Sequence, residues 1–153
     1  MEIYDRAIEL PDEWDFFCHD NYAMQRHFLH FMETVNYCGQ QYYVFRNKEK
    51  QINSVLMTMQ LQKFNISMFT PIVHRVNATL IYVPLSIAKP GFKITDETKD
   101  EVEAFLKSIK GYWLMLNVKN NLDFDCAIRG ATCSNVVMDV NAKTFDEYIY
   151  SLR

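Results

Sequence analysis

Glycine and proline are scarce, with four of each in 153 residues. No repeat, linker or low-complexity stretch interrupts the chain, so residues 1–153 read as a single domain. The four cysteines, Cys18, Cys38, Cys126 and Cys133, fit no CxxC pair and no zinc-ribbon spacing. Buried thiols in a reducing cytoplasm are therefore expected, rather than disulfides or a metal centre. No apolar run approaches the ~20 residues needed to cross a bilayer, and Met1-Glu-Ile-Tyr-Asp-Arg6 lacks the basic-then-apolar layout of a signal peptide. An excess of positive charge is also missing. The formal net charge is −3, whereas nucleic-acid binding rests on clustered Lys and Arg, so no nucleic-acid partner is expected. The densest basic cluster, Arg46-Asn-Lys48-Glu-Lys50, reads as a solvated hairpin tip.

What is present is apolar and aromatic. Apolar residues make up 49% and charged residues 23%, which places the chain with folded proteins rather than disordered or membrane-spanning ones. Aromatic residues reach 14%. They are accommodated either by an aromatic-rich core or by an interface with a second half of the protein.

Hydrophobic spacing gives the element order. Leu10-Pro11-Asp12-Glu13-Trp14 predicts the start of a short helix, with Pro in its first turn, acids at the positive end of the dipole, and Trp14, Phe17 and Cys18 facing inward. A second helix is predicted from Ala23 to Asn36, with Phe28, Phe31, Met32 and Val35 as its apolar stripe and Gly39 closing the segment. The period then becomes extended. Strands are predicted at 41–46 and 51–61 around the polar turn 47–50, with 63–70 either prolonging the second or forming a bent third piece. Asn77–Val83 is a strand whose apolar density predicts burial on both faces. Pro84–Ile94 reads as a loop, and a helix follows. Thr98 and Glu101 form its capping box, Val102, Phe105, Leu106 and Ile109 its apolar stripe, and Gly111 lies past its end. Tyr112–Val118 reads as another central strand, 120–134 as a turn region, and Asn135–Val140 as the last strand.

The closing stretch has helical character. Thr144 and Glu147 form a capping box, and Phe145, Tyr148, Ile149 and Leu152 recur at helical spacing with no Gly, Asn or Pro to stop them. The expectation is a helix written to continue, and hence the front part of a longer protein. A short terminal helix docked on its own domain is the alternative. In the first case those four side chains look for cover from a further domain or from a second copy of the chain.

The order of two early helices, an antiparallel meander and a strand–helix–strand crossover predicts an α/β domain of the α+β type. Its central sheet is mixed and largely antiparallel, with helices on both faces. This order resembles the GNAT acyltransferase fold. Val83-Pro-Leu-Ser-Ile-Ala-Lys-Pro-Gly91 is similar to a G-x-P-x-S-x-x-x-x-G stretch of GNAT-like proteins akin to the Fem-type peptidoglycan aminoacyltransferases, with Tyr82 where the leading Gly would fall. Thr132-Cys133, Met138-Asp139-Val140 and Phe145-Asp-Glu-Tyr148-Ile-Tyr-Ser-Leu-Arg153 are similar to the segment that joins the two halves of those proteins. The resemblance implies the N-terminal half of a tandem N-acyltransferase, whose whole would use acyl-CoA or an aminoacyl donor and transfer the group to an amine. Its missing partner is a C-terminal GNAT-like domain. The non-enzymatic alternative is a binding or dimerisation module that keeps the fold.

A working GNAT domain holds the pyrophosphate of acyl-CoA on backbone N–H groups of a Gly-rich loop at a helix start. The corresponding stretch here is Ala88-Lys-Pro-Gly-Phe-Lys-Ile-Thr95. It offers Lys89, Gly91 and Lys93 as a degenerate cofactor loop, but Pro90 removes a donor and Asp96, Glu97, Asp100 and Glu101 repel an anion. No tight CoA binding by this chain alone is expected. Elsewhere, His27, His30 and Glu33 drift around their helix and read as exposed polar residues rather than a metal face. Cys18 and His19 point about 100° apart and form no dyad. Tyr112 reads as a packing residue, and Asp123, Asp125 and Arg129 as a solvated turn. No catalytic residue is identifiable.

Overall fold

The structure, a computed structural model, describes residues 1–35, 37–65, 74–84, 89–118 and 122–128. Its elements are β1 (Glu2–Tyr4), α1 (Glu13–Phe17), α2 (Arg26–Val35), β2 (Gln41–Arg46), β3 (Ile52–Asn65), β4 (Arg75–Ile81), β5 (Phe92–Lys93), α3 (Lys99–Ser108) and β6 (Tyr112–Met115), with 3-10 turns at Ala7–Glu9, Tyr22–Met24 and Asp96–Thr98. The strands form one sheet in the order β1-β2-β3-β4-β6, and β5 pairs with β3. Among the described residues every pairing is antiparallel except β4 with β6, which is parallel and joined through α3. The domain is thus the expected α+β type with a mixed, largely antiparallel sheet.

Side-chain alternation along the strands divides the core in two. Tyr42 and Val44 of β2, with Val55 and Met57 of β3, meet Trp14, Cys18, Met24 and Leu29 on one face. Tyr43, Phe45, Leu56 and Ile81 meet Phe92, Val102 and Leu106 on the other. Helices therefore cover both faces: α1 and α2 one, α3 the other. Trp14, fully buried, packs edge-on against Tyr42 at 6.0 Å and donates its indole N–H to Met24 O. Burial of each such large side chain contributes about 1.5–3 kcal/mol.

Two local predictions match closely. Asn47–Lys50 forms the hairpin turn, with Lys50 N–H on Asn47 O and Gln51 N–H on the Asn47 side chain. Gly39 ends the α2 segment at φ +61, where a Cβ would be strained. Residues 63–65 prolong β3, which runs Ile52–Asn65, and residues 66–70 lie outside the described residues.

Five expectations are corrected. The buried arc of α2 is Leu29, Met32 and Glu33, while Phe31 and Val35 are 55% and 61% exposed. The buried arc is rotated by about one residue from the apolar stripe because the buried carboxylate of Glu33 belongs to it. Thr98 precedes α3, but its side chain makes no cap bond there. Its hydroxyl instead meets Ser54 Oγ at 2.5 Å, and the turn Asp96–Thr98 feeds the helix. Strand β6 is not buried on both faces: Tyr112 and Leu114 are 59% and 38% exposed, so Tyr112 is no packing residue. Within the predicted loop, Phe92–Lys93 is a short strand. In β4, burial on both faces holds only from Ala78 onward. Arg129, the strand expected at 135–140 and the terminal helix from Thr144 lie outside the described residues.

Candidate functional site

The parallel pair β4/β6 singles out one end of the sheet. Where parallel strands are linked by a crossover helix, the loops at their carboxyl ends are the usual ligand position. The segment Lys89–Lys93 lies there and contains all three residues of the degenerate loop. Gly91 is pressed onto the strand: a Cβ built on it would stand 2.8 Å from the N, Cα and C atoms of Tyr82. Its carbonyl accepts Met57 N–H at 2.8 Å. The next two residues continue that zipper, with Phe92 opposite Leu56 and Lys93 opposite Val55.

The two lysines turn toward the α1–α2 connection. Lys93 Nζ donates to Phe17 O at 2.8 Å and to Asp20 Oδ1 at 2.9 Å, and lies 5.0 Å from the centre of the Phe17 ring. Lys89 Nζ reaches Asp20 O at 3.2 Å. The Lys93 ammonium bonded to Asp20 holds that carboxyl below the usual range, against the opposing effect of desolvation. Asn21 Nδ2 donates to Pro90 O at 2.9 Å and Asn117 Nδ2 to Lys89 O at 3.2 Å. Asn117 adopts φ 61, a conformation Asn tolerates better than most residues. Thus Lys89, Gly91 and Lys93 are brought together, along with Asp20, Asn21, Tyr82 and Asn117. Only Tyr82 among these four partners stood out in the sequence. Asp20 and Asn21 follow a helix, where polar residues are commonplace.

The helix start beyond the loop is also engaged. Thr95 N–H donates to Ser54 Oγ at 3.0 Å and Asn53 Nδ2 to Glu97 Oε2 at 2.7 Å. Asp96, Glu97, Asp100 and Glu101 are all exposed around it. The geometry holds the loop to the protein by its own donors and cations, with a ring of carboxylates at the helix entry. Replacing Gly91 by Ala is expected to lower stability by about 1–3 kcal/mol, because the new methyl group meets backbone rather than a yielding side chain. Urea unfolding of the variant measures this, and an unchanged midpoint would show that the Tyr82 contact is not tight.

The polar residues set apart elsewhere divide clearly. Glu33 is buried, contrary to the expectation of an exposed residue. Its Oε1 accepts Ala7 N–H at 2.7 Å and Tyr42 O–H at 2.8 Å, while Arg6 Nε lies 3.4 Å and His30 Nδ1 3.7 Å from Oε2. Burial and this carboxylate together raise the Tyr42 phenol far above its ordinary range. His27 and His30 are exposed, and no group of three or more metal-ligating side chains occurs among the described residues. Cys18 is fully buried and burial pushes its thiol up to about 12, while His19 Nδ1 bonds Phe16 O. Asp123 and Asp125 are exposed. Among the described residues no helix is long and apolar enough to cross a membrane. Compared with protein-family models, curated proteins and solved structures, the chain matches none.

Proposed function

We propose that this chain is a GNAT-like domain acting as the N-terminal, non-catalytic half of a cytoplasmic N-acyltransferase, in which it shapes the groove for an amine acceptor. A second GNAT-like domain carries the acyl-CoA or aminoacyl donor. The strand order β1-β2-β3-β4-β6, with the parallel pair β4/β6 around α3, supports the fold part of this reading. The observation that carries the division of labour is the loop itself. Its Gly91–Lys93 backbone is paired with β3, Thr95 N–H is bonded to Ser54, and Lys93 is held by Asp20 and Phe17. A pyrophosphate would have to displace those contacts and then face four carboxylates at the helix start.

Calorimetric titration with acetyl-CoA is expected to give no saturable binding at micromolar ligand. Micromolar affinity abolished by Lys93→Ala would overturn the reading and make this domain the donor site. The coding sequence after Arg153 supplies the second test. A following domain with a Gly-rich loop supports the tandem enzyme, and a stop codon there favours the binding or dimerisation module.

A further inference from the structure

Lys93 Nζ sits in surroundings that recognise an ammonium group by three different means. The Asp20 carboxylate supplies charge at 2.9 Å, the Phe17 carbonyl an acceptor at 2.8 Å, and the Phe17 ring its π face at 5.0 Å. Each suits a compact cation with rotatable N–H donors. Phe17 is the last residue of α1, so its carbonyl has no partner within the helix. Its ring packs on the core cluster of Trp14 and Cys18 and is fixed independently of Lys93.

The acceptors gathered there exceed what one lysine uses. A second ammonium, Lys89 Nζ, reaches the backbone oxygen of the same Asp20 at 3.2 Å. Asn21, next in the chain, is only 8% exposed, and its Oδ1 has no hydrogen-bond donor. The group lies at the carboxyl ends of β4 and β6, the usual ligand position. It is also accessible. The Lys93 and Asp20 side chains are 33% and 60% exposed, and an ion pair so placed is held weakly enough to be displaced. We propose that Phe17 and Asp20 form a subsite for a primary alkylammonium group, filled here by Lys93 and vacated for the amine acceptor. A quaternary ammonium is excluded, because carbonyl and carboxylate both require an N–H donor. Lys93 thereby acts as an internal competitor. Only chains in which it has swung away are competent, and the apparent affinity for an external amine is reduced by that fraction.

NMR titration of the whole chain with n-propylammonium at constant ionic strength tests this. Saturable shifts are expected at the amides of residues 17–21, in the parent and, about tenfold tighter, in Lys93→Ala. In that variant the ligand replaces the side-chain atoms removed. Asp20→Asn, at an exposed position, is expected to weaken binding about tenfold or more, because the charge-assisted bond is lost. Equal concentrations of n-propanol or tetramethylammonium are expected to leave those amides unmoved. Absence of saturable shifts in both the parent and Lys93→Ala overturns the proposal. Equal affinity in those two proteins, an equal response to n-propanol, or indifference to Asp20→Asn overturns it as well. The identity of the ligand rests on the amine-acceptor reading, but the titration contains no acetyl-CoA. CoA binding would therefore sink that reading alone, and a missing amine response this inference alone.

Discussion

Glu33→Ala is expected to destabilise the protein by about 3–5 kcal/mol, the range found when one member of a buried charged network is removed. The Glu33 side chain is only 1% exposed. Its Oε1 joins three parts of the fold: α2 itself, the Ala7 N–H at the first 3-10 turn, and Tyr42 of β2. Alanine leaves that N–H and the Tyr42 hydroxyl buried without an acceptor, and each orphaned group costs about 1–3 kcal/mol. Glu33→Gln keeps an oxygen for both donors but turns an amide toward Arg6 and His30, so a smaller loss is expected. Tyr42→Phe removes one donor and is expected to cost about 1–2 kcal/mol. In thermal unfolding, Glu33→Ala corresponds to a fall of roughly 6–20 °C for a domain of this size. A fall below about 2 °C would mean that the carboxylate is not the hub that its contacts suggest.

The second large effect appears at alkaline pH. The Cys18 thiol is raised from 9.0 to about 12, chiefly by burial. Above about pH 9 the unfolded chain releases this proton while the folded chain keeps it, so unfolding gains on folding as pH rises. The stability contributed by the neutral buried thiol is complete below pH 9 and is lost on the way to about pH 12. At 1.36 kcal/mol per unit this amounts to about 4 kcal/mol. Tyr42, raised in the same direction by burial and then by Glu33, adds a loss that begins near the ordinary tyrosine value of 10.0. Urea unfolding under reducing conditions between pH 8 and 11 measures the slope. Cys18→Ala is expected to be less stable at pH 8, through lost packing, yet to lose stability more slowly above pH 9. Parallel pH profiles for the two proteins would sink the assignment.

Much of the fold was legible along the chain. The change of period after Gly39, the polar turn at Asn47–Lys50 and the Val102/Leu106 stripe of α3 are local patterns, and local backbone preference acts on them directly. The inward set of α1 was likewise readable, because Trp14 and Cys18 lie one turn apart. The candidate loop was legible as a composition, with a single Gly, a Pro and two lysines. Its attachment was not. Asp20, Asn21 and Asn117 reach it from sequence distances of 28 to 73 residues, and no spacing rule connects them.

At α2 and at Thr98 the structure departs from local pattern for one physical reason. Periodicity places the apolar residues of α2 inward and its charged residues outward. Glu33 reverses this because three long-range partners make its burial tolerable, and that rotation leaves Phe31 and Val35 in water. Thr98 looked like a cap because Glu101 follows at the right interval, but a buried Ser54 hydroxyl competes for it. The sequence by itself determined α1, α2, the β2–β3 hairpin, β4, α3 and β6 in that order, with helices on both faces of the sheet. These follow from periodicity and turn chemistry within a few residues, whereas the short strands β1 and β5 do not. Only the tertiary structure decided which face of α2 is buried, which strand holds Gly91, and which carboxylate binds Lys93. Those choices depend on polar groups finding partners across the fold, and in a close-packed interior each partner is fixed by every other element at once.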